Sequence, residues 1–181
     1  MLWKNSNTRY GSISIILHWL MALVFIGVYA CIELRELYPK GSDPREALKA
    51  WHFMLGLSIL LLVTMRLYFK ATSLTPAITP LPAKWQILSA KWAHLALYVL
   101  MIGMPVLGWF LLSAAGKPIP FFGLELPALI TKNKDLASSL KKLHETIGVL
   151  GYYLIGLHAI AALFHHYVVK DNTLVRMLPR R

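Results

Sequence analysis

The sequence holds a single cysteine, Cys31, in 181 residues. One thiol closes no internal disulfide, holds no iron–sulfur cluster and supplies no CxxCH for covalently attached haem. Acids are scarce too: eight Asp and Glu stand against nineteen Lys and Arg, and charged residues make up only 15% of the chain. Soluble domains carry about a quarter charged residues, so an ordinary water-soluble globule is excluded. The shortage of acids leaves a net charge of +11. That value raises nucleic acid as a partner, but the cations fall at the ends of apolar runs, where they meet lipid headgroups. No nucleic-acid role is expected.

What the chain has in abundance is apolar surface, with 57% hydrophobic residues. Four runs, at about 13–32, 48–69, 92–115 and 143–169, each reach the roughly 20 residues that a spanning helix needs. The fold class expected is all-α: an integral membrane four-helix up-down bundle, with residues 1–181 forming one transmembrane domain. The helices are expected at about 12–34, 47–70, 84–114 and 139–169. Lys4 and Arg9 before the first run resemble a signal peptide. That run is longer than a usual signal core and contains His18, and Tyr29 in "VYAC" at 28–31 fits a lipoprotein cleavage site poorly, so a retained helix is expected.

The connections carry turn chemistry: Pro39, Gly41 and "DP" at 43–44, then Pro76, Pro80 and Pro82, then Gly116, Pro118, Pro120, Gly123 and Pro127. "IPFFGLELPALI", within the longest connection, is apolar enough to lie along the membrane surface. With four spans, both termini share one side. Lys4, Arg9, Arg66, Lys70, Lys84, Lys91, Lys170, Arg176, Arg180 and Arg181 lie there, against nine cations on the other side. The cation count is nearly even. Seven of the eight acids lie on the second side, so the termini side is the more basic in net terms and is expected to face the cytoplasm.

Histidine is the residue that an apolar bundle must account for, because imidazole in hydrocarbon is costly. His144 and His158 are fourteen residues apart. At about 100° per residue they leave one helix face, and at about 1.5 Å per residue they stand roughly 21 Å apart along the axis. His18 matches the depth of His158 near the termini side, and His52 matches His144 near the other. Two bis-histidine sites follow, and b-type haem is the common cofactor held by such pairs between helices. The expected irons are an inner one on His18 and His158 and an outer one on His52 and His144. His165 lies on roughly the same face as His158 but would put an iron about 31 Å from His144, at the headgroups.

Other residues fit around these pairs. Gly56 follows His52 by four residues and Gly148 follows His144 by four, clearing the ligand face one turn deeper, where a flat macrocycle approaches. Glycine also eases plain helix contact in membranes. Arg66, fourteen residues after His52, points toward the inner site, either to pair with a haem propionate or to reach lipid phosphate. His94 has no depth partner and is read as a supporting or interfacial group, with a ligand or quinone contact as the alternative. Pro105 and Gly108 are expected to kink the third helix and shape a cavity.

These features resemble the bacterial cytochrome b561 family, the four-helix dihaem membrane cytochromes. The carriers are "ISIILHWL" at 13–20, "WHFMLGLSILLLVTMRL" at 51–67, "HLALYVLMIGMPVLG" at 94–108, "LHETIGVLGYYLIGLHAIAALFHHY" at 143–167 and "KDNTLVRMLP" at 170–179. The resemblance implies His18, His52, His144 and His158 as axial ligands, residence in the bacterial inner membrane, and electron transfer from the periplasmic side to ubiquinone. Some similar proteins oxidise superoxide. Lys117, Lys132, Lys134, Lys141 and Lys142 lead into His144. A basic funnel there, with Lys141 and Lys142 nearest, would attract a small anionic donor. His165 and His166 are the expected quinone contacts. The alternative function is a cytochrome b anchor that passes electrons between a partner dehydrogenase or hydrogenase and quinone. A haem-free, histidine-lined metal transporter is a third reading, disfavoured because such a protein would usually carry acids within its spans and only Glu145 comes close.

Overall fold

The computed structural model describes residues 3–179; Arg180 and Arg181, counted above with the termini-side cations, lie outside the described residues. Four helices among the described residues are long and apolar enough to cross a membrane. They are α1 (Ser12–Leu34), α2 (Asp43–Ala71), α3 (Lys84–Ala115) and α4 (Lys134–Phe164). The spans run up and down, α1 packing on α2, α2 on α3 and α3 on α4. Much of their apolar surface faces outward, as at Leu23, Leu61, Val99 and Leu157, which suits lipid as the surrounding solvent.

Two helix starts differ from the sequence-based expectation for physical reasons. α2 begins at Asp43 rather than near 47, because Pro44 sits in its first turn, where a missing N–H costs nothing. Asp43 and Glu46 in that turn and Lys70 in the last complement the helix dipole. α4 begins at Lys134 rather than near 139. The Asn133 side chain accepts the Leu136 N–H at 3.0 Å and caps it. At its far end α4 stops at Phe164, and His165–Val169 wind into a π-turn that ends with Lys170 at φ 61°.

The connection between α3 and α4 is not a simple surface strap. It forms a two-stranded hairpin, β1 (Pro120–Phe121) with β2 (Leu124–Glu125). Phe122 (φ 47°) and Gly123 (φ 87°) make its turn, the positive-φ pair that a tight hairpin favours. Ile119 is only 2% exposed and packs with Leu57 of α2 and Leu112 of α3, flanked by Phe53, Trp109, Phe121 and Leu126. Phe122 and Leu124 stay exposed. On the same side Arg45 is buried: it donates to the Arg35 and Tyr38 carbonyls at 2.9 Å and to the Glu36 carboxylate through Nη2.

At the opposite end the N-terminal segment, the α2–α3 connection and the C-terminal tail are tied together. Ala77 N–H donates to the Asn7 carbonyl and Asn172 N–H to the Thr79 carbonyl, Arg9 donates to the Val175 carbonyl, and buried Arg176 donates to the Pro76 carbonyl. Asp171, 4% exposed, accepts from His165 Nδ1 and from the Thr173 N–H. Burial alone would raise the Asp171 carboxyl, but the bonds from His165 and Thr173 outweigh it and hold the group below its ordinary value.

A carboxylate whose folded pKa is lowered stabilises the fold above its unfolded value, about 3.9, and that contribution is lost as pH falls through the lowered value. Asp171→Asn is expected to cost about 1–3 kcal/mol at neutral pH. Thermal unfolding in detergent should show the gap to wild type narrowing below about pH 4. A gap that stays constant down to pH 3 would contradict this account of Asp171.

Candidate functional site

The histidines on three helices meet in two places. His18 of α1 and His158 of α4 have ring centroids 6.2 Å apart, with planes at 70°. His52 of α2 and His144 of α4 also stand 6.2 Å apart, at 74°. A metal–imidazole nitrogen distance is about 2 Å, so two imidazoles on either side of one ion have centroids roughly 6 Å apart. Both pairs meet that requirement, at two levels about 21 Å apart along α4. The backbones of α1 and α2 do not pack closely on α4, which rests on α3. Imidazoles bridge the separation.

Local contacts orient the rings. His52 Nδ1 lies 2.9 Å from the Val28 carbonyl of α1. Nδ1 therefore carries the proton, and the Nε2 lone pair is left for a metal, the usual arrangement of a ligating histidine. The His144 ring lies over Gly108 of α3: a Cβ placed there would sit 3.4 Å from Cε1. Gly108 thus makes room for a ring, while α3 continues through buried Pro105. His144 Nδ1 is buried and has no hydrogen-bond partner among the described residues. A Cβ at Gly56 would meet nothing within 4 Å, and one at Gly148 only Met104 Cε at 3.8 Å. Two facing imidazoles, a free Nε2 and cleared helix faces fit a flat macrocycle with an axial ligand from each side.

The remaining expected residues fall in different places. Arg66 Nη1 donates to the Ser14 carbonyl at 3.2 Å, one turn before His18, so its guanidinium is at the inner level. His94 stands beside His158, with centroids 5.6 Å apart; the inner level thus gathers three imidazoles. His165 is held by Asp171, and His166 lies against Tyr167. Both belong to the π-turn at the termini side. Lys141 pairs with Glu145 at 3.2 Å, an exposed pair of small energetic weight. The Lys132 stem packs over Gly116.

A family model described as prokaryotic cytochrome b561 matches residues 9–180. The chain belongs to the prokaryotic cytochrome b561 family. It is 39% identical over 173 residues to cytochrome b561 homolog 1 of Escherichia coli (strain K12), covering 96% of this chain and 98% of that one. It is 39% identical over 173 residues to a probable superoxide oxidase CybB of Yersinia pestis, covering 96% and 97%. Cytochrome b561 homolog 2 of Escherichia coli (strain K12) is 30% identical over 179 residues, covering 98% and 95%. The chain is a multi-pass membrane haem protein, and membership implies b-type haem.

The sequence reading missed a polar chain beside the outer pair of this b561-family protein. Tyr29 Oη of α1 donates to the Gly148 carbonyl of α4 at 2.9 Å. Its ring stacks at 4.1 Å on Tyr152, whose hydroxyl donates to Glu33 at 2.7 Å. A signal was present: Tyr29 follows His18 by eleven residues, about 20° past three turns, so it shares the ligand face of α1. Gly151 of α4 is buried because the Tyr29 hydroxyl occupies the place of its missing Cβ. Gly151→Ala should therefore expel Tyr29 and cost about 1–3 kcal/mol. Thermal unfolding of the holoprotein checks this, and adding Tyr29→Phe should recover part of the loss. An Ala variant as stable as wild type would show that the hydroxyl moves aside freely.

Proposed function

We propose that this chain is a dihaem cytochrome that takes electrons from a small anionic donor, superoxide, and delivers them to ubiquinone in the bacterial inner membrane. In this reading residues 1–181 form one transmembrane cytochrome domain with both termini in the cytoplasm. The observation that carries it is the pair of equal imidazole separations, 6.2 Å, at two depths of one bundle. His18 and His158 would hold the inner haem, and His52 and His144 the outer. Haem supplies one-electron redox chemistry when bound. The name of the Yersinia pestis relative, a probable superoxide oxidase, supports superoxide as the donor.

The protein's own residues have three tasks in this reading. On the side of the hairpin, Lys117, Lys132, Lys134, Lys141 and Lys142 raise the local concentration of an anion, with Lys141 and Lys142 at the mouth. Oxidation of superoxide to oxygen releases one electron and needs no proton. Within the membrane, Val28 fixes the His52 tautomer and Gly108 seats His144, while Arg66 offers a guanidinium to a haem propionate. On the termini side, His165 and His166 contact the quinone and assist its protonation. Two superoxide ions and two protons thus convert one quinone to quinol with release of two oxygen molecules.

The test mixes the purified holoprotein with a superoxide source and a short-chain ubiquinone. Quinol formation well above the protein-free rate is expected, falling as salt rises. Lys141→Glu with Lys142→Glu should slow it several-fold at low salt and little at high salt. No quinol above background, with both haems present, would refute superoxide as the donor.

A further inference from the structure

On the termini side a groove of about 370 Å³ runs between the N-terminal segment, the first half of α1 and Pro179. One end is polar, with Lys4, Ser6, Arg9 and Ser12; the other is apolar, with Ile16, Leu20 and Leu23. Among the described residues no acid lines it, and the first turn of α1 carries none either. The tail closes one wall: Trp19 Nε1 donates to the Met177 carbonyl at 2.8 Å and Arg9 Nη2 to the Val175 carbonyl at 3.1 Å. Arg9 is thus anchored by carbonyls that leave its charge uncompensated. Lys4 is exposed and forms no ion pair among the described residues.

The dimensions select the occupant. From Ser12 to Leu23 the helix rises about 16 Å, close to half of a hydrocarbon core of roughly 30 Å. The groove therefore begins at the headgroups and ends near the midplane, one leaflet deep. Its floor matches an acyl chain and its mouth matches an anion. A headgroup without net charge, quinone included, gains less than an anion from two cations with no acid beside them. We propose that this groove is a binding site for an anionic phospholipid of the termini-side leaflet. The phosphate lies at Lys4 and Arg9 and an acyl chain along Ile16, Leu20 and Leu23. Trp19 borders the groove and meets His18 edge-to-face at 5.4 Å, so the seated lipid would touch the residue that flanks the inner imidazole pair.

Native mass spectrometry of the delipidated holoprotein, titrated with phosphatidylglycerol or with phosphatidylcholine of the same acyl chains, tests this. The first phosphatidylglycerol should bind at least about fivefold more tightly, the scale of one interfacial cation. Lys4→Glu should bring the two affinities together, and the milder Lys4→Gln should reduce the preference partway. Lys40→Glu, on the opposite side of the membrane, should leave it intact. An unchanged haem spectrum in each variant certifies the fold. Equal affinities in wild type, a preference that survives Lys4→Glu, or displacement of the first phosphatidylglycerol by ubiquinone would each overturn the proposal.

Discussion

An imidazole in hydrocarbon must be given a partner, and that constraint organises this bundle. Four of the seven histidines face one another across the line where α1 and α2 stand off from α4. The rest of the architecture keeps that line open without letting the bundle fall apart. α3 packs on both α2 and α4 and seats one ring over Gly108. Tyr29 bridges from α1 to the backbone of α4. Direct closure of α1 and α2 onto α4 would bury more side-chain surface, but it would leave the rings no room for a shared metal.

The two membrane faces are built differently, which bears on the proposed transfer of electrons across the membrane. On the hairpin side the chain forms an apolar plug of Ile119, Leu57 and Leu112, edged by lysines of which only Lys49 and Lys141 form ion pairs among the described residues. On the termini side three separate segments are laced together by backbone carbonyls, two arginines and the buried Asp171. The first arrangement suits access by a small anion. The second is an ordered polar layer that holds His165 through Asp171, the end of α4 to which the proposed function assigns the quinone. Membership of the cytochrome b561 family agrees with a haem protein built into the membrane.

Much of this was legible in the sequence because it depends on periodicity and depth. Helical phase puts His144 and His158 on one face, and distances from the flanking cations Arg9, Arg45 and Lys170 match them in depth with His52 and His18. The helix starts were read late because "DP" at 43–44 and Asn133 act as caps, a role that turn composition alone does not distinguish from a loop. The hairpin at 120–125 was hidden by an apolar composition that also suits a surface segment. The Glu33–Tyr152–Tyr29 chain depends on contacts between distant helices, and only the shared phase of Tyr29 and His18 hinted at it. His94 is placed against His158 by the packing of α3 on α4, which no spacing within α3 reveals.

The central claim is that two imidazole pairs each clamp one iron porphyrin. It is tested most directly by haem-to-protein stoichiometry with reduced-minus-oxidised spectra, in wild type and in His52→Ala and His158→Ala. The account predicts two b-type haems per chain, one remaining in each variant, and a different spectral component lost in each. One haem in the wild type, or two retained in His158→Ala, would contradict it.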